Sequence, residues 1–224
     1  MRNYIYVSGR KVERLSAALP RRPLARLREL NLKAGPVGAG FSLADAPKET
    51  IIAAVAEVEQ EIQSKYRVRW FGDPDLSSGH WFMAEDLNMA YGVHHVREAS
   101  GPGAAVFAAE EDNIQMLLSG SAEYLLDRRA DPIDFGDSMS DPQAIYRLLH
   151  DLGDESPPQH PAAPPQGLVD SDDYSISNAL HVLGSYGWQP MNFLAQAIRV
   201  TKTRDGNVRN VVGTPLWVAW AVPE

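Results

Sequence analysis

Apolar and polar residues alternate along this chain in two different rhythms, and the change of rhythm marks out the elements. Asn3–Ser8 reads as a strand. After Gly9, Val12, Leu15 and Leu19 recur at helical spacing over Lys11–Leu19, and Pro20 stops the helix. Leu24, Leu27 and Leu30 suggest one or two more helical turns. The strongest helical pattern is Pro47–Tyr66. Asp45 is placed to cap it, and Ile51, Ile52, Val55, Val58 and Ile62 form one apolar stripe. Glu57, Glu59, Gln60, Gln63 and Ser64 fall outside that stripe.

Strand-like segments follow. Val68–Phe71 is a candidate strand, broken by Gly72-Asp73-Pro74-Asp75, and His80–Tyr91 looks extended. Ala104–Ala109 reads as a short buried strand that pairs with Ile114–Leu118 across the Glu110–Asn113 turn. A Ser119-Gly120-Ser121 turn and a helix over Ser121–Arg129 are expected next. A further helix opens at Asp141-Pro142 and runs to about residue 150–152, and another, capped by Asp172 or Asp173, runs to Leu183. Phe193–Thr203 and Val208–Val222 flank Arg204-Asp205-Gly206-Asn207, a good hairpin signal. The second strand is apolar on both faces, as a central strand is, and Pro215 predicts a bulge or an edge position. A helix at Met191–Ile198 is the alternative reading of the first arm.

These elements predict an α+β fold. It is a single domain over residues 1–224, with a mainly antiparallel or mixed sheet, packed helices and a C-terminal β-hairpin. Gly153–Gly167 contains five prolines and reads as an extended surface loop.

Composition narrows the class without naming a function. The chain has 224 residues, 44% hydrophobic and 22% charged, as ordinary globular proteins do. It has no apolar run long enough for a membrane helix and no signal-peptide pattern at its start, so the expectation is a cytoplasmic protein with no membrane partner. Cysteine is absent, which removes disulfides, thiolate catalysis and Cys-based metal sites. The net charge of −8 is unevenly spread: residues 1–35 hold nine Lys or Arg against two acids, whereas 131–173 hold ten acids against Arg147. Such blocks pair with each other, within one chain or across a dimer. Nucleic-acid binding through residues 1–35 would be strongly salt-dependent, and the overall acidity argues against it.

Candidate chemistry is sparse. A strand, a Gly-Ser turn and a helix can aim free backbone N–H groups at an anion. That makes Ser119, Gly120 and Ser121 candidate ligand-binding residues, with Arg128 at the end of the expected helix. Arg67 and Arg69 share a face if Val68–Phe71 is a strand, and could hold an anion or pair with acidic residues. The polymerase-beta-type reading of Gly120-Ser121 fails on the carboxylates, because Asp131 and Asp134 have the wrong spacing for one strand face. A nucleophilic Ser121 fails because the surrounding sequence, SGSAE, lacks GxSxG. Gly35, Gly38 and Gly40 match neither the phosphate loop nor the dinucleotide fingerprint. His80, Glu85, Asp86 and the adjacent His94-His95 lack any metal-ligand spacing, and the acidic segment 130–142 departs from the calcium-loop pattern. No metal or cofactor is implied. Trp70, Trp81, Tyr91, Trp188, Trp217 and Trp220 read as core or interface, with a ligand cleft lined by two or three of them as the functional alternative.

The opening YIYVSGRKVERL, the middle VFAAEEDNIQMLLSGSAEYLLD and the ending FLAQAIRVT…NVVGTPLWVAWA together resemble an uncharacterised family of streptomycete and other actinobacterial proteins. The resemblance implies a bacterial, cytoplasmic protein, and a signalling or defence context. It carries no catalytic residues to transfer. The functional expectation is therefore a non-enzymatic binding or regulatory module. It would be homo-oligomeric and would recognise a protein partner or a small ligand. The alternative is a small-molecule enzyme acting on an anionic, phosphorylated substrate at Gly120-Ser121.

Overall fold

A computed structural model describes residues 2–17, 48–94, 103–126, 176–177, 180–181, 183–184 and 187–221. Its elements are β1 (Asn3–Val7), α1 (Gly9–Ala17), α2 (Lys48–Lys65), β2 (Arg69–Trp70), β3 (Trp81–His94), β4 (Ala104–Glu111), β5 (Ile114–Ser121), β6 (Gln189–Lys202) and β7 (Val208–Trp220). The helices expected near 23–30 and 142–152, the glycine loop at 35–40 and the proline segment at 153–167 lie outside the described residues, as does Arg128.

The sheet is mixed, and it closes. β3 pairs with β4, β4 with β5, β5 with β7, β7 with β6, and β6 returns to β3. Only the β5–β7 contact in this ring is parallel. Closure into a five-strand barrel goes beyond the expected α+β arrangement, which was a mainly antiparallel or mixed sheet with packed helices. Long strands make it feasible. β3 spans 14 residues, and its first part pairs with β6 while its last part pairs with β4.

Tight curvature comes from bulges. One sits in β3, where the register with β6 shifts between Ala84 and Leu87. Asp86 there adopts a left-handed φ of 54°, and its N–H donates to Asn192 Oδ1 at 2.8 Å. Another sits in β7. Leu194 faces Trp217 and Ala195 faces Pro215, so Leu216 is the extra residue. This is the bulge that Pro215 predicts, since proline has no N–H to give the ladder.

Period-two alternation sends one set of residues into the barrel and the other out. On β4, Ala105, Phe107 and Ala109 point inward, while Ala104, Val106 and Ala108 meet Ile176, Leu180 and Leu183 of the helical residues 176–177, 180–181 and 183–184. Both faces are covered, which explains the unbroken apolar run. On the far side, α1 and α2 bury Val12, Val55, Val58 and Ile62 against Trp81, Leu194, Leu216 and Trp217. Glu59 corrects the expected polar face of α2. It is only 7% exposed and forms an ion pair with Arg2, whose guanidinium lies 4.3 Å from the centre of the Trp217 ring.

β6 and β7 form the expected hairpin, so the helical alternative at Met191–Ile198 is set aside. The helix expected over Ser121–Arg129 is also corrected. β5 runs on through Ser121, a single 3-10 turn covers Ala122–Tyr124, and Leu125 then bridges to Tyr6 of β1. Leu126 N–H donates to Ile5 O at 2.8 Å. β1 is thus inserted between β7 and the chain leaving β5, and it widens the barrel wall at this end.

Lys11 fastens the insertion. Its ammonium donates to Thr214 O at 2.7 Å, Thr214 Oγ1 at 2.8 Å and Pro215 O at 3.0 Å, next to the β7 bulge. Burial pushes its pKa well below the ordinary lysine value.

Candidate functional site at one end of the barrel

The two ends of the barrel differ. One end is closed by the loop after β2. Leu76 is fully buried there, Phe71 packs beside it, and Lys202 Nζ holds the loop through Pro74 O at 2.7 Å. Arg69 braces the same loop by donating to Asp73 at 3.2 Å and Asp75 at 3.3 Å. The Asp75 N–H and then Arg69 hold the Asp73 carboxyl below the usual carboxylate range.

The other end is where β3, β5 and β7 finish and β4 and β6 begin. An aromatic layer fills it. Phe107 is fully buried and stacks on Tyr91, with centroids 5.7 Å apart and planes 15° from parallel. Trp220 meets Tyr91 edge-on at 5.8 Å. Tyr6 meets Phe107 at 5.8 Å and Tyr124 at 6.4 Å, both edge-on. Tyr91, Tyr124, Leu125 and Trp220 all pack on the barrel core yet remain only partly buried. Val93, two residues beyond Tyr91 and so on the same strand face, is 42% exposed. The inward residues opposite are small: Ala105 pairs with both Val93 and Gly120.

Gly120 is explained by Tyr6. A methyl group at Gly120 would lie 2.8 Å from Tyr6 Cζ and closer still to the hydroxyl oxygen. The glycine is a slot for the tyrosine, contributed by a strand far away in sequence. The Tyr6 hydroxyl is buried and lacks a well-aligned hydrogen bond among the described residues. Burial drives its ionisation well above that of an ordinary phenol, while Ser8 pulls slightly the other way. Tyr124 is pushed up to about 12, first by burial and then by Glu123, while Arg10 opposes the shift. Both phenols are neutral at physiological pH.

The residues singled out from the sequence do not come together. Ser119, Gly120 and Ser121 belong to the β4–β5 ladder, facing Val106, Ala105 and Ala104. They do not form an open turn. Ser119 and Ser121 are buried, and their hydroxyls have no hydrogen-bond partner among the described residues. Ser121 precedes the 3-10 turn but makes no side-chain cap bond. Arg69 lies in β2 at the closed end, and Arg67 precedes that strand with its side chain exposed. The two-residue strand is too short to set both arginines on one face. His80 is placed against Ser77, and Glu85 and Asp86 project outward from the β3 bulge. Among the described residues no group of three or more His, Asp or Glu could hold a metal ion, and no helix is long and apolar enough to cross a membrane.

Of the aromatic set, Tyr91 and Trp220 do line one region, as the cleft alternative requires. Trp217 and Trp81 are core, and Trp70 is exposed at the other end; Trp188, also exposed, precedes β6 at the aromatic end but packs beside Gly184. Tyr6, Phe107 and Tyr124 were missed as site residues. Alternation in the first strand gave no signal for Tyr6: it would place Tyr6 with Tyr4 on the helix-covered face, but a bulge between the two turns Tyr6 into the barrel.

No match to the chain is found among curated proteins or among solved structures. Residues 2–221 match one protein family, and the chain therefore belongs to DUF7019, a family of unknown function.

Proposed function

We propose that this protein is a non-enzymatic binding module whose ligand site is the aromatic end of the barrel. The observation that carries the reading is the contrast between the ends. Leu76 seals one completely, whereas Tyr91, Tyr124 and Trp220 at the other stay partly open beside Val93. Barrel mouths with apolar and aromatic linings are common small-molecule sites. The inward side chains of this layer offer ring faces and neutral phenols, with Glu123 and Arg10 at the rim beside Tyr124, and no nucleophile–base pair stands among the described ones. A regulatory role in a bacterial signalling or defence setting, a cytoplasmic location and a homo-oligomeric state remain part of the proposal.

The enzymatic alternative at Gly120-Ser121 draws little from the geometry. An anionic substrate there would have to displace a buried strand that is paired with β4.

The test is a thermal-shift screen of small organic compounds on the wild type and on Val93→Glu. An exposed strand residue changes stability little when replaced, within about 0.5 kcal/mol. The proposal expects compounds that raise the wild-type melting temperature and lose that effect in the variant. Stabilisation that survives Val93→Glu would move the site elsewhere.

A further inference from the structure

We infer that the barrel end selects an uncharged, planar ring compound; this rests on the barrel-end reading above. Ring orientation supplies the shape. Phe107 lies beneath the rim and is fully buried, so it supports Tyr91 from the core side. Trp220 stands at 71° to Tyr91, with ring centroids 5.8 Å apart. Two rings nearly at right angles make a corner. A flat ring laid along Tyr91 presents its edge to Trp220, and offset-stacked and edge-to-face contacts both gain beyond buried area. A flexible alkyl chain gains area alone and must also give up rotamer freedom.

Charge supplies the rest. The inward side chains of this layer are Tyr6, Tyr91, Phe107, Tyr124, Met191 and Trp220, none of them ionised at neutral pH. Glu123 and Arg10, one charge of each sign, act on Tyr124 from the rim. An ion entering the layer would lose hydration with no inward-facing counter-ion among the described residues; the ring faces repel an anion and return to a cation only about 0.5–2 kcal/mol. A neutral ring carries no such cost.

The experiment measures binding by tryptophan fluorescence, with isothermal titration as the check. Four probes are compared: 2-naphthol, naphthalene-2-sulfonate, phenyltrimethylammonium and 1-decanol. Wild type and Val93→Glu are run side by side. The expected result is that 2-naphthol binds at least about tenfold more tightly than the other three, a gap of about 1.4 kcal/mol, and that Val93→Glu abolishes its binding. If 1-decanol or either ion binds as tightly as 2-naphthol, and Val93→Glu abolishes that binding too, the planar-neutral inference is overturned while the barrel-end reading stands. If no probe binds, or binding is indifferent to Val93→Glu, both fall.

Discussion

Replacing Gly120 with alanine tests the packing on which the aromatic layer stands. The added methyl would sit 2.8 Å from Tyr6 Cζ and nearer still to its hydroxyl. Tyr6 is fully buried, between Phe107 and Tyr124, and has no free direction in which to withdraw. Forcing one extra methyl into such a site costs about 1–3 kcal/mol. For a domain of this size that is a fall in melting temperature of roughly 2–4 °C per kcal/mol. Tyr6→Phe alone removes a buried hydroxyl that has no well-aligned partner, so it should change stability by less than about 1.5 kcal/mol. In the double variant the nearest clashing atom is gone. Its destabilisation should then fall short of the sum of the singles by about 1 kcal/mol, a coupling well above the error for independent sites. Urea titration of the four proteins gives the cycle. A free Gly120→Ala substitution, or strictly additive effects, would refute the claim that the glycine exists to admit Tyr6. Unchanged stability with altered anion binding would instead revive the phosphate-turn reading.

Three further outcomes follow from other contacts. Lys11 is depressed by burial, so between its lowered value and 10.5 the folded state binds fewer protons than the unfolded state, and stability should rise with pH across that window. The raised Tyr6 and Tyr124 ionisations reverse the trend above about pH 10. Lys11→Met should flatten the rise and, by leaving Thr214 O and Pro215 O without that donor, lower stability at pH 7 by about 1–3 kcal/mol. Urea midpoints from pH 7 to 9.5 decide it. At Asp86, with φ 54°, Asp86→Val should cost about 1–2 kcal/mol while Asp86→Gly costs nothing or stabilises, as calorimetry would show. Arg2→Ala strands a buried carboxylate and removes a cation–π contact. It should lose more stability than Arg2→Ala does in a Glu59→Gln background, a difference read from chemical denaturation.

Local signals explain what the sequence made legible. The β4–β5 hairpin and the β6–β7 hairpin each join apolar runs through short polar turns, and Asp112, Asn113 and Gly206 take the positive φ those turns need. Pro215 announced its bulge because a missing N–H is a local fact. The α2 stripe, Val55, Val58 and Ile62, needed only its own periodicity.

The failures are all non-local. Ala122–Leu126 has helix-forming residues, but Leu125 and Leu126 are taken up by β1, far away in sequence, and that pairing overrides propensity. Gly120 looked like a phosphate glycine because its reason, the Tyr6 ring, enters from another strand. Glu59 looked like a solvated helix charge because Arg2 and Trp217 come from opposite ends of the chain. Closure of the barrel depends on which parts of β3 pair with β4 and which with β6, and no local pattern encodes that choice. Tyr91 and Trp220 were visible as aromatics, but their meeting follows only from the closed ring of strands.

Two-dimensional NMR of the labelled protein titrated with 2-naphthol locates the ligand directly. Shifts are expected to concentrate on the Trp220 indole, Tyr91, Val93, Ala105 and Tyr124, with Leu76 and the closed end unmoved. Shifts gathered instead around exposed Tyr66 and Trp70, with the aromatic end silent, would contradict a ligand site there.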